Sequence, residues 1–261
     1  MEYVLIIVVA FGAALLTFFS GFGLGTILMP VFAIFFPVEI AIALTAIVHL
    51  LNNFFKAALI WKEINWKVVL WFGIPAAAAA FGGALLLNRL SGQSGIFTYE
   101  LAGRTMQVTI LKLVIATLLV FFAVMEINRW LQQIRLRKKF LPLGGLLSGF
   151  FGGLSGHQGA LRSMFLLKAG LTKESFIATG IAAAIVIDIS RLTVYGTSFF
   201  AQHFKALGDK STLLLLVASL AAFAGSLIGR KVLRKITFRG VQLTVGILIL
   251  LMALLMAAGI I

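Results

Sequence analysis

Eight long apolar runs dominate this chain, near residues 4–36, 40–60, 68–87, 106–127, 141–167, 175–200, 212–229 and 240–260. A segment that crosses lipid must satisfy its own backbone hydrogen bonds, which leaves helices or a closed β-barrel. Barrel strands are short and alternate apolar with polar residues; these runs are uninterrupted. Of the residues, 61% are hydrophobic and 11% charged, against about 45–50% and about 25% in an ordinary soluble domain. A soluble globule, a disordered chain and a fibre are excluded. The sequence predicts an all-α polytopic membrane protein.

A single crossing takes about 20 residues, which suits six of the runs. Residues 4–36 would form a helix of roughly 50 Å, against a hydrocarbon core of about 30 Å. The middle of that run reads Gly21-Phe22-Gly23-Leu24-Gly25, with Pro30 beyond. The fifth run carries Gly149, Gly152, Gly153, Gly156 and Gly159. Such residues break helices, so both long runs are expected to be broken. The start, Met1-Glu2-Tyr3, lacks the positive region of a signal peptide, and no cleavage site follows.

The chain repeats. At an offset of 135 residues, Ser20-Gly21 falls on Ser155-Gly156, Met29 on Met164, Glu39 on Glu174 and Ile42-Ala43 on Ile177-Ala178. Asn53 falls on Asp188, Lys56 on Arg191, and Gln107-x-Thr109 on Gln242-x-Thr244. Weak internal symmetry marks transporter folds, and it divides the chain into repeats at 1–130 and 136–261.

Positive charge decides how the repeats run, because cytoplasmic loops concentrate Lys and Arg. If all eight segments cross, the loop cations split nine to nine and no bias survives. If segments one and five dip in and return, the inner face collects fourteen: Lys62, Lys67, Arg129, Arg135, Arg137, Lys138, Lys139, Lys168, Lys173, Arg230, Lys231, Arg234, Lys235 and Arg239. The outer face keeps four, Arg89, Arg104, Lys205 and Lys210. Each half is then a broken, re-entrant segment plus three crossings, and the halves are inverted. Segment one either returns or crosses; the counts are the same.

The formal net charge of +14 raises nucleic acid as a partner, but no basic cluster carries the interleaved aromatics of such a platform. The basic loops face the lipid bilayer instead. With no Cys and three scattered His (His49, His157, His203), thiolate chemistry is excluded and no metal or other cofactor is expected. No phosphate-binding Gly-x-x-x-x-Gly-Lys-Ser/Thr loop is present either.

Ionisable residues inside spans are costly and usually functional. His49, Asn52, Asn53 and Lys56 share one helical stripe at i, i+3, i+4 and i+7. They read as a polar wall; the alternative is hydrogen bonding between helices, with Lys56 snorkelling to the surface. Asp188, Arg191 and Tyr195 form a second stripe. There Arg191 either meets an anion or pairs with Asp188, and Asp188 is a candidate for carrying a coupling proton. In the fifth segment a glycine break would expose backbone N–H groups and aim a helix N-terminus at the gap. Ser155, Gly156, His157, Gln158, Gly159 and Arg162 lie there as donors for an anion. Gly21, Gly23, Gly25 and Thr26 form the uncharged counterpart in the first half. Lys112 is read as snorkelling outward and Glu126 as solvated at a helix end.

The run Ser-Gly-Phe-Gly-Leu-Gly-Thr-Ile-Leu-Met-Pro, followed by Pro-Val-Glu-Ile-Ala-Ile-Ala-Leu-Thr, resembles the first repeat of the sulfite exporter TauE/SafE family. Residues 149–163 and 171–180 resemble its second glycine motif. The resemblance spans essentially the whole chain. It implies secondary transport, not enzymatic turnover: export of small sulfur oxyanions such as sulfite or organosulfonates across a prokaryotic inner membrane. Gly21, Gly23 and Gly25 match the first motif, Gly156 and Gly159 the second. His157-Gln158 departs from the family pattern, which often has an apolar residue and Gly. At Phe165 the repeat loses its Pro. An anion channel, or a transporter of another small organic anion, is the alternative.

Overall fold

The computed structural model describes residues 2–18, 23–101, 103–134, 136–232 and 238–261; of these, the side chains of 2, 104, 132, 133, 199–211, 230–232, 238, 239, 241 and 242 are left aside. The first apolar run forms α1 (Glu2–Thr17) and α2 (Leu24–Ala33). Next come α3 (Val38–Ile60), α4 (Trp66–Leu90), the strands β1 (Phe97–Leu101) and β2 (Arg104–Val108), α5 (Ile110–Ile127) and the short α6 (Arg129–Gln133). The fifth run forms α7 (Leu141–Ser155) and α8 (Gly159–Leu166). The chain closes with α9 (Lys173–Thr197), α10 (Phe199–Val232) and α11 (Phe238–Ala257).

Five described helical stretches are long and apolar enough to cross a membrane: Val38–Glu63, Trp66–Leu90, Ile110–Ile127, Lys173–Thr197 and Thr212–Gly229. The described apolar part of α11, Leu243–Ala257, is shorter.

Three expectations are corrected. The fourth run does not begin as a helix at 106. Residues 97–108 form an antiparallel hairpin with Phe97 opposite Val108 and Tyr99 opposite Met106. Aromatic and β-branched residues favour this pairing, and Gly103 takes the positive φ of 74° that the turn needs. Thr109 then caps α5 by accepting from the Lys112 N–H. Gln107 therefore sits in a strand whereas its partner in the repeat, Gln242, sits in a helix. Second, residues 201–211, with Lys205 and Lys210, belong to α10 and not to a loop. Third, the fifth run is broken at one place only. Gly149, Gly152 and Gly153 lie inside α7, and the break is at residues 156–158.

The glycines inside α7 serve packing. A Cβ on Gly145, Gly149 or Gly153 would overlap the carbonyls of Phe72, Ala76 and Ala80, one turn apart along α4. The two backbones are in direct contact, as small residues permit between membrane helices. Gly225 and Gly229 of α10 meet Phe11 and Leu15 of α1 in the same way. The main pairings are α4 with α7, α1 with α10, α5 with α11, α4 with α9 and α3 with α9.

α7 and α8 form a hairpin. Phe165 packs against Gly144, and the Leu136 N–H donates to the Met164 carbonyl over 3.4 Å. A straight helix would separate residues 144 and 165 by about 30 Å. Gly156, in the left-handed region at φ 82°, ends α7 and lets the chain turn back.

Candidate functional site

The site lies where the two broken runs meet. Gly23 precedes α2 with φ 111°, a conformation that L side chains rarely adopt. A Cβ on Gly25, in the first turn of α2, would lie 3.9 Å from the Gly156 carbonyl. The N-termini of α2 and α8 thus come together between α3 and α9.

They form a small pocket lined by Gly23, Gly25, Thr26, His49, Gly156, Gln158, Gly159 and Arg162, with about 10 Å³ of free space, room for about one water-sized group. Arg162 stands on the first turn of α8 and is 2% exposed. Its Nη1 donates to the Gln158 Oε1 over 3.2 Å. The Gln158 Nε2 donates to the Asp188 Oδ1 over 3.3 Å, and the Ser148 hydroxyl holds the Gln158 carbonyl at 2.8 Å. Gln158 is therefore fixed at both ends and aims Arg162.

Behind this wall is an ion-pair cluster. Arg191 donates through Nε and Nη2 to the Asp188 Oδ1, at 3.0 and 2.7 Å, and through Nη1 to the Gly152 carbonyl at 3.3 Å. His49 Nδ1 donates to the Asp188 Oδ2 over 2.6 Å. That bond leaves His49 Nε2 as the ring's other nitrogen, 3.4 Å from the Asn53 amide. Tyr195 donates to the Gly153 carbonyl.

The structure separates residues that stand together in the sequence. His49, Gly23, Gly25, Thr26, Gly156, Gln158, Gly159 and Arg162 share the cavity. Arg191 and Asp188 do not line it; they bond to each other, and Arg191 also donates to the Gly152 carbonyl of α7. Ser155 is turned back on its own helix, donating to the Phe151 carbonyl over 3.0 Å. Asn52 faces α10, where its Oδ1 accepts from the Ser226 hydroxyl over 2.9 Å. Asn53 supports His49. Lys56 does not snorkel: it is 4% exposed, with its ammonium 5.5 Å from the centre of the Phe18 ring. Gly21 lies outside the described residues.

His157 faces elsewhere. Its Nδ1 lies 2.9 Å from the Ser155 carbonyl and its ring stacks on Phe122, with centroids 5.6 Å apart. It lines a second small pocket, with about 10 Å³ of free space, together with Thr26, Phe122, Glu126, Gly159, Ala160 and Ile249. Glu126, expected to be solvated, is 4% exposed. The signal was its place as the next-to-last residue of a helix that is otherwise apolar on that face.

Among the described residues the buried Lys, Arg, Asp and Glu side chains are Lys56, Arg162, Arg191, Asp188 and Glu126, the last in the second pocket. Three cations to two carboxylates, with two helix N-termini at the first pocket, favour positive potential there.

The chain matches the family described as Sulfite exporter TauE/SafE over residues 6–256. No curated protein and no solved structure matches it. That family consists of membrane transporters of sulfite-like anions and not of enzymes. A match over nearly the whole length, on a helical bundle with several spans and a positive chamber at its two helix breaks, makes this integral membrane protein a member of the TauE/SafE sulfite exporter family.

Proposed function

We propose that the chamber between α2 and α8 is the substrate site of a secondary transporter that exports a small sulfur oxyanion, such as sulfite or an organosulfonate. The observation that carries this is the convergence of two helix N-termini and the Arg162 guanidinium on one small cavity. N-termini present unpaired N–H groups, and a guanidinium offers five donors in a fixed fork. Gly23, Gly25, Gly156 and Gly159 let the backbone approach the anion, while His49, Thr26 and Gln158 complete the wall. Arg191, Asp188, Ser155, Asn52 and Asn53 act by holding this wall in place. Lys56 adds positive charge from behind.

The site would be exposed alternately by two inverted repeats, residues 1–130 and 136–261. Four observations support that arrangement. Helices α8 and α9 begin 135 residues after α2 and α3. The pairing of α1 with α10 is exchanged for that of α7 with α4, while α3 with α9 and α5 with α11 map onto themselves. Lys56 on α3 stands over Phe18 at the end of α1, and Arg191 on α9 bonds Gly152 near the end of α7. Exposed Trp61, Trp66 and Trp130 lie beside Lys62, Lys67 and Arg129, as aromatic and basic residues do at one membrane interface. The α7–α8 hairpin then enters from, and returns to, the cytoplasmic face of a prokaryotic inner membrane.

Flux of radiolabelled sulfite into proteoliposomes tests this reading. Saturable uptake that Arg162→Ala abolishes is expected. Wild-type flux in a folded Arg162→Ala protein overturns the site. Unsaturable flux at channel rates favours an anion channel over alternating access.

A further inference from the structure

Lys56 stands at the first helix break as Arg191 stands at the second. α1 ends at Thr17, and a Cβ on Gly23, the residue before α2, would lie 2.7 Å from the Thr17 side-chain methyl. The Lys56 ammonium is 5.5 Å from the centre of the Phe18 ring, next along the chain from Thr17. Helical side chains lean toward the N-terminus of their helix. The Lys56 stem therefore rises toward Asn53 and toward His49, which lines the first pocket. At the 135-residue offset Lys56 falls on Arg191, and a Cβ on Gly156 would lie 3.1 Å from the Arg191 Nη1.

The two cations are held differently. Arg191 is fixed by two bonds to Asp188 and one to the Gly152 carbonyl. The residue of the first half that falls on Asp188 is Asn53, which carries no charge and turns its amide to His49. Asp188, a candidate for carrying a coupling proton, is already committed to Arg191, His49 and Gln158. Glu126 lines the second pocket. Among the described residues Lys56 has the Phe18 ring and no hydrogen-bond acceptor. A ring face attracts an ammonium, but buried cations are as a rule paired with a full negative charge. The neighbouring charge that bears on Lys56 is Arg162, of like sign.

A substrate can supply the missing charge. The first pocket has free space of about 10 Å³, enough for about one water-sized group. An anion with two charged ends cannot lie wholly within it, so its second end must displace part of the wall. Lys56 is suited to meet that end, with a flexible four-carbon stem held at its tip by one ring contact.

We propose that Lys56 is the second cation of the substrate site and that the site takes dianions, with one charged end on Arg162 and the helix N-termini and the other on the Lys56 ammonium at the first break. The inference rests on the anion reading of the first pocket and names its substrate class. A dianion meets both cations where water is scarce, whereas a monoanion on Arg162 leaves Lys56 without a counter-charge.

Sulfoacetate and isethionate (2-hydroxyethanesulfonate) are close in size and differ by one charge. The sulfonate is ionised in both. At about pH 7.5 the carboxyl of sulfoacetate is ionised as well, whereas isethionate ends in a hydroxyl. Calorimetric titration of the purified full chain measures both affinities. The wild type is expected to bind sulfoacetate at least about tenfold more tightly than isethionate. In Lys56→Met, which keeps the stem and removes the charge, that preference falls below about twofold, while isethionate affinity stays within about threefold. Lys56→Arg, which keeps the charge, retains the preference. Equal binding of the two anions by the wild type overturns the inference and leaves the anion site standing. So does an unchanged preference in Lys56→Met, whatever the loss of affinity. If the methionine variant is not monodisperse, Lys56→Gln takes its place under the same criteria. If neither these two anions nor sulfite binds the wild type, the anion site falls and the inference falls with it.

Discussion

His49 donates to Asp188 over 2.6 Å, from α3 to α9. The two residues are 139 positions apart and belong to different halves of the chain. On its other side Asp188 holds Arg191, so one carboxylate joins the halves and neutralises the cation behind the first pocket.

Removing that carboxylate strands Arg191 in a buried site. Asp188→Asn is expected to destabilise the protein by about 3–5 kcal/mol, and Arg191→Ala by a comparable amount. A double variant, Asp188→Asn with Arg191→Gln, should be more stable than the sum of the single losses implies. Thermal unfolding in detergent measures all three. Strict additivity would show that the pair does not carry the effect.

Arg162→Lys keeps the charge and loses the planar fork. Anion-induced thermal stabilisation should fall in the order wild type, Arg162→Lys, Arg162→Ala, with at least about a tenfold loss of affinity at the last step, or about 1.4 kcal/mol. A panel of small anions at fixed concentration measures this. Equal stabilisation of wild type and Arg162→Ala would remove Arg162 from the site.

Asn52 and Asn53 are neighbours with different tasks. Asn52→Ala loses the bond from Ser226 and should cost about 1 kcal/mol of stability with little effect on anion affinity. Asn53→Ala should weaken anion binding, because it frees the His49 ring. Measuring affinity and melting temperature on both variants separates the roles.

Gly82 and Gly83 give a packing test on α4. A Cβ on Gly82 meets nothing within 4 Å, whereas one on Gly83 overlaps the Phe150 carbonyl of α7. Gly82→Ala should therefore stabilise by up to about 1 kcal/mol through helix propensity. Gly83→Ala should destabilise by about 1–3 kcal/mol as the helices are forced apart. Equal melting temperatures would contradict the close α4–α7 contact.

Much of the site could be read from residue type and spacing. Gly156, Gln158, Gly159 and Arg162 follow from a glycine break with donors beside it. His49 follows from a polar stripe on an apolar helix, and the first-half glycines from the 135-residue offset. The β-hairpin was missed because Met106, Gln107 and Val108 run straight into the apolar face of α5, and a short strand has no periodicity that a helix end cannot imitate. Glu126 was misplaced because burial at a helix end depends on what packs there, and α8 and α11 come from the other half of the chain.

The sequence by itself determined that this chain lives in lipid, that its helices break at two glycine-rich places, and that cations exceed carboxylates within its apolar runs. Those are consequences of composition and local backbone preference, which act over a few residues. Only the tertiary structure decided which donors share a cavity. Ser155, His157 and Arg162 lie within eight positions of one another, yet one turns back on its helix, one lines the second pocket with Glu126 and one lines the first. The left-handed turn at Gly156 and the packing of α2, more than a hundred residues away, set those directions. A side chain's bearing across a helix break is a property of the assembled bundle, because the torsions at the break are chosen by what the returning helix packs against.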